Sequence, residues 1–230
     1  MRRFPLTGLF GVLGLCVLLV LGSCRSSGEF GSEPEQLISN ARITFQSMMS
    51  DSQYPGLVDM MSRAKAVVII PRLLRAGFFF GGRGGNGVML ARNAAGAWSS
   101  PAFYTLGGLS FGLQFGGSSS EIVLVIMTDK GLNAVLDRQV TLGGDAGVAV
   151  GELGEGVNAA TGLGLKADMY AFARSQGLFV GVSLEGSVIA PRNTWNQTVY
   201  GLDVTPHSIL VDQTAHADLP AVGEIIKAMP

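Results

Sequence analysis

Cysteine is nearly absent from this chain of 230 residues: only Cys16 and Cys24 carry a thiol, and both fall at the very start. No disulfide framework can therefore hold the remainder, whose stability must come from a buried core. Charge is scarce as well, at 14% of residues, with 16 Lys+Arg against 17 Asp+Glu. That balance excludes the basic excess expected of a nucleic-acid binder. Histidine is limited to His207 and His216, with Asp212 and Asp218 nearby. A metal site needs at least three convergent ligands, and these four read as solvated turn residues. Beyond Cys24 no apolar stretch approaches the ~20 residues of a membrane-spanning helix without a Gly, Pro or charge. What the chain has in quantity is apolar side chains, 47% of residues, and 33 glycines.

The first 24 residues, MRRFPLTGLFGVLGLCVLLVLGSC, place Arg2 and Arg3 before an apolar core from Leu9 to Leu21 and end in small residues. This is the layout of a secretory signal, and its apolar run is too short to span a bilayer. The order Leu21-Gly22-Ser23-Cys24 resembles the bacterial lipobox, which implies removal of residues 1–23 and acylation of Cys24. That removal takes two bases and no acid, moving the formal charge from −1 to −3. Residues 24–33 then form a lipidated tether, small and polar after the cysteine, whose reach grows only as ~5–6 Å times the square root of its length. Arg25 stands where an Asp would favour retention in the inner membrane, so the sorting rule implies an outer-membrane lipoprotein facing the periplasm.

Residues 34–230 read as one domain. Ser32 and Glu35 have capping-box spacing with Pro34 in the first turn, and Leu37, Ile38, Ala41, Phe45, Met48 and Met49 recur on one helical face. Gln36, Asn40, Arg42, Thr44 and Gln46 lie opposite, with too few bases for a membrane-surface helix, so core packing is expected. A second helix is expected from Pro55 to about Lys65. Short β-branched or aromatic segments follow at 66–70, 77–82, 87–92, 101–106, 109–116 and 121–128, separated by Gly, Pro, Asn and Ser. Asp129 is expected to cap a helix over 130–137, strands to resume at 139–150, 157–172, 177–189 and 207–211, and a helix to close the chain from Asp218 to Met229. The fold class is thus α+β: a mainly antiparallel, glycine-rich sheet, sandwich or barrel-like, with N-terminal, central and C-terminal helices. Glycine inside strands points to strong curvature or close stacking.

Two motifs invite a catalytic reading. Gly82-Arg83-Gly84-Gly85-Asn86-Gly87 satisfies GxGxxG, but that fingerprint needs a following helix and an acid about twenty residues on. Here GVMLARN continues as a strand and no acid occurs between Asp59 and Glu121. Gly108-Leu109-Ser110-Phe111-Gly112 matches the nucleophile elbow of serine hydrolases, with Asp129, Asp137, Asp145 and His207 or His216 following in order. The elbow requires a strand-to-helix turn, whereas Ser110 sits in a period-two strand pattern. No catalytic residue and no cofactor are expected; a small serine hydrolase using Ser110 is the least favoured alternative.

KAVVIIP, AGFFFGGRGGNGV, TLGGDAGVAVGELG, YAFARSQGLFVGVSLEGSVI and the NQTVYG step together resemble the SYLF domain, over about Leu37 to Met229. The resemblance implies a lipid or membrane-surface binding module; phosphoinositide binding in eukaryotic members involves a basic N-terminal segment, whose counterpart here, EPEQLISNAR, holds a single base. Actin binding, known for yeast members, is not expected of an exported bacterial protein. Arg83, on a glycine-rich turn, is a candidate phosphate ligand. Lys65, Arg72 and Arg75 form the densest basic cluster, suited to anionic head groups, and Arg174 falls within a family-like block. The expected partner is a phospholipid surface, with no nucleic acid; the alternative is an assembly lipoprotein docking an envelope protein.

Overall fold

The computed structural model describes residues 33–77, 80–111, 116–137, 139–151, 167–177 and 184–230. Two helices come first, α1 (Glu33–Met49) and α2 (Pro55–Arg63), followed by strands β1 (Ala66–Gly77), β2 (Phe80–Ala91), β3 (Ala102–Phe111) and β4 (Gly116–Ile126). Helix α3 (Asp129–Asp137) precedes β5 (Val140–Thr141), β6 (Val148–Gly151), β7 (Met169–Gly177) and β8 (Val188–Pro191). The chain closes with α4 (Asn193–Tyr200), α5 (Pro206–Leu210) and α6 (Pro220–Ala228). The strands form one sheet in the order β5-β8-β3-β2-β1-β4-β7-β6. Every pairing in it is antiparallel except β6 with β7. The fold is α+β, as the sequence pattern predicts.

The continuous apolar runs of β1 and β4 arise because this sheet is covered on both faces. Val67 and Ile69, with Val88, Leu90, Phe103, Val123 and Val125, pack against Ile38, Ala41, Phe45 and Met48 of α1, Leu57 and Met61 of α2, and Ile225 of α6. We call this the front face. Val68 and Ile70, with Met89, Tyr104, Leu106, Leu124 and Ile126, face Val135 of α3 and Ile209 and Leu210 of α5 on the back. Successive strand residues point to opposite faces, so a run such as Ala66-Val67-Val68-Ile69-Ile70 supplies both cores at once. Each such side chain contributes about 1.5–3 kcal/mol on full burial.

Several local expectations are corrected. Residues 207–211 do not form a strand: Thr205 caps α5 by accepting from Ser208 N–H while Ser208 Oγ accepts from Thr205 N–H, and Pro206 occupies the first turn. Helix α4 was not anticipated by the spacing; buried Asn196 holds it to β3, accepting from Phe103 N–H at 2.7 Å and donating to its carbonyl at 3.3 Å. The N-terminal cap of α3 is Thr128, whose Oγ1 accepts from Gly131 N–H at 3.0 Å. Asp129 instead pairs with Lys65 at 3.1 Å. The strand expected over 139–150 is two short ones, β5 and β6. Residues 157–166 and 178–183 of the two later strand expectations, and the leader with Cys24, lie outside the described residues; of the rest, β7 starts at Met169, 184–187 form a turn rather than strand, and β8 starts at Val188.

Candidate functional site

Strands β1 to β4 outrun their helical cover, and the change occurs at Pro71. Between Ile69 and Leu74 β1 spends five steps where β2, from Val88 to Gly84, spends four. Against β4, Ile70 to Leu73 is opposed by only Ile122 to Ser120. One extra residue therefore bulges at Pro71–Arg72, where proline offers no N–H to the ladder. The bulge presses β1 onto β2. A β-carbon on Gly85 would come within 2.4 Å of the Arg72 carbonyl oxygen, and one on Gly87 within 2.5 Å of the Ile69 carbonyl oxygen. These glycines of the GGRGGNG segment thus admit a close strand crossing. The segment is strand β2 throughout, with no following helix to receive a pyrophosphate.

The extra residue also reverses which side chains face which way. Without it, Arg72 and Leu74 would follow Ile70 onto the back face; with it, Leu73 joins the back core and Arg75 lies two residues further along the same side. Arg75 is opposite Arg83 on β2 and Ser118 on β4. Arg83 runs across Gly108, its register partner on β3, where a β-carbon would sit 3.2 Å from Arg83 Nε and from Ser187 Oγ. Burial, and then the adjacent Arg75 charge, lower the Arg83 guanidinium below its ordinary value. The front of the same extension is apolar: Leu74 is 48% exposed and Leu109, opposite Gly82, 75%.

Between α1 and this front face lies a cleft of about 590 Å³. Leu37, Asn40, Ile43 and Thr44 form its helical wall; Pro71, Arg72, Leu74, Gly84, Gly85, Asn86 and Glu121 form its sheet wall. At its floor Glu121 Oε1 accepts from Thr44 Oγ1 at 2.9 Å and Oε2 accepts from Arg174 Nε at 2.6 Å. Arg174 also donates to Ser47 Oγ at 3.0 Å. Thr44, on the polar side of α1 by sequence periodicity, is buried, and this bond satisfies its hydroxyl there.

The five basic residues picked from the sequence thus do not form one patch. Arg75 and Arg83 are together on the back, Arg72 lines the cleft, and Arg174 is tied to Glu121 and Ser47. Lys65 stands beyond the other end of β1 beside Asp129, ten residues and roughly 33 Å of extended strand from Arg75. Ser110 lies in β3 paired with Gly81, away from any strand-to-helix turn among the described residues. His207 Nδ1 is 3.1 Å from Asp212 and exposed. No group of three metal-ligating side chains occurs among the described residues, and no described helix is long and apolar enough to cross a membrane. The cleft was missed by sequence reasoning; the proline inside the apolar run of β1, followed by two arginines spaced three apart, was its signal.

The family model described as Ysc84, Las17-binding protein actin regulator, matches residues 107–229. LAS seventeen-binding protein 3 of Saccharomyces cerevisiae is 37% identical over 155 residues, covering 66% of this chain and 34% of that protein. Human SH3 domain-containing YSC84-like protein 1 is 35% identical over 156 residues, 67% of this chain and 45% of the relative. An SH3 domain-containing protein of Schizosaccharomyces pombe is 36% identical over 159 residues, 68% and 37% respectively. The chain spans less than half the length of these relatives. Their names overturn one expectation: with matches described as Las17-binding and as actin regulators, actin-related partners can no longer be set aside for a domain of this kind.

Proposed function

Because this chain belongs to the Ysc84 (SYLF) family, we propose that it is a non-catalytic module whose sheet extension binds a phospholipid surface, held there by acylated Cys24 in a bacterial envelope, at the outer membrane. The observation that carries this reading is the two-sided extension itself, with Leu74 and Leu109 exposed on its front and Arg75 beside Arg83 on its back. Apolar side chains enter the acyl boundary while bases engage anionic head groups, each worth ~1 kcal/mol near the surface. The test is flotation of the Cys24→Ser chain with anionic vesicles, compared with a form also carrying Arg72→Glu, Arg75→Glu and Arg83→Glu. The triple reversal should lower binding well over tenfold, and parental binding should weaken as salt shortens the screening length. Equal flotation without salt dependence would remove the reading.

A second reading is favoured by the family description and by the relative named for Las17 binding: the domain docks an actin-regulatory protein or actin. Cosedimentation with filamentous actin, with and without vesicles, separates the two, since a lipid module pellets only with the vesicles.

A further inference from the structure

The α1 cleft offers more than a surface contact. Its wall residues Leu37, Ile43 and Leu74 are apolar, and Ile43 is 56% exposed although it belongs to the main N-terminal helix. The volume of about 590 Å³ lies within the ~300–1,000 Å³ typical of small-molecule sites. The polar groups around it are donors. Asn86 Oδ1 is engaged by Thr105 Oγ1 at 2.9 Å, which turns the Asn86 amide N–H groups to other use. Asn40 adds a second carboxamide and exposed Arg72 a guanidinium. The acid in the cleft, Glu121, has both oxygens engaged, one by Thr44 and one by the Arg174 guanidinium that neutralises it. A cleft with an apolar wall, two amide donors and one guanidinium is complementary to a single acyl chain bearing a phosphate.

We infer that this cleft binds one monoacyl phospholipid as a monomer, its phosphate on Arg72, Asn40 and Asn86 and its chain along Leu37, Ile43 and Leu74. The inference rests on the phospholipid reading above but assigns a saturable site on the front of the sheet, separate from the arginine pair on the back. It makes the domain a carrier of single lipids as well as a surface reader.

Gly84 provides the test, because it lines the cleft yet a β-carbon there meets nothing within 4 Å. Gly84→Leu therefore starts from an unobstructed β-carbon and adds bulk at the cleft. Titration of the full chain carrying Cys24→Ser with lauroyl lysophosphatidylglycerol below its micelle concentration should show one saturable site, at least tenfold weaker in Gly84→Leu and in Arg72→Gln. Laurate and glycerophosphate, each carrying half of the ligand, should bind at least tenfold more weakly than the whole. Saturable binding that survives Gly84→Leu with an unchanged melting temperature overturns the inference, as does laurate binding as tightly as the lysolipid. Vesicle flotation of Gly84→Leu reads the surface function separately. Retained flotation with lost monomer binding supports the cleft site, and monomer binding in a chain that never floats removes the surface reading while leaving the cleft.

Discussion

Two halves of one sheet carry opposite chemistry. From Ala66 to Ile70, and across the matching stretches of β2, β3 and β4, every side chain is buried by helices in front and behind. Past the Pro71 bulge the same four strands carry glycine, serine and arginine, and Leu74 and Leu109 face outward. The same strands pair on both sides of the boundary, with the ladder shifted by the bulge between; what changes most is who covers it. Packing demands are thus concentrated in the covered half, and the half free of them is where glycine, serine and arginine are tolerated.

The widest gap between the halves should appear on truncation of Phe103. It is fully buried on the front face, its ring 5.8 Å from Trp195 in an edge contact. Phe103→Ala should cost about 3–5 kcal/mol, read as a fall in the urea midpoint with unchanged slope. A loss under about 1 kcal/mol would mean that the front core is less consequential than its burial implies.

The boundary itself should respond next. Gly85→Ala places a β-carbon against the Arg72 carbonyl and should cost about 1–3 kcal/mol through the backbone shift it forces. Gly84→Ala, one residue away with open space around it, should be neutral or stabilise by up to ~1 kcal/mol. Equal effects at the two positions would show that the bulge does not set the glycine requirement.

At the covered end, Asp168 joins three elements. Its carboxylate accepts from Thr128 Oγ1 at 2.7 Å, Lys130 Nζ at 2.9 Å and Gly147 N–H at 3.2 Å. The Lys130 and Thr128 hydrogen bonds lead in holding its pKa below the ordinary carboxylate value, against an opposing effect of burial. A depressed folded pKa means the contribution is present above the unfolded value of ~3.9 and is lost as pH falls through the folded one. Asp168→Asn should therefore lose about 1–3 kcal/mol at pH 7, and its deficit in thermal unfolding should shrink below about pH 4. A deficit independent of pH would assign the effect to shape.

How much of this was legible in the sequence follows the same division. The covered half announced itself: β-branched runs gave β1 and β4, and the recurrence of Ile38, Ala41, Phe45 and Met48 gave the buried face of α1. The glycines around Arg83 read as a turn, yet β2 runs straight through them, because neighbouring strands supply the ladder that glycine alone would not favour. Helix α4, built from Asn, Thr, Val, Trp and Tyr with weak helical preference, exists through tertiary contacts such as the Asn196 clamp on Phe103. The site residues were visible singly, but their grouping was not. Their spacing of three already sets Arg72 and Arg75 on opposite faces, but the one-residue bulge decides which of them takes the cleft side and which the back, and nothing local to those arginines encodes it.

The smallest effect on stability, and the sharpest test of the contrast, belongs to Leu109. Three-quarters exposed on the front of the extension, it has little packing to lose, so Leu109→Asn should change unfolding free energy by no more than ~0.5 kcal/mol. If the extension enters the acyl boundary, however, the same side chain is buried on binding, where a leucine is worth about 1.5–3 kcal/mol. Vesicle partitioning of the Cys24→Ser chain should then fall roughly tenfold or more, since each 1.4 kcal/mol is a factor of ten. This loss should persist at high salt, unlike that from the arginine reversals, because it does not depend on charge. A variant that partitions like the parent would leave the extension with only its arginines to meet the membrane, and the apolar front would then belong to the cleft alone.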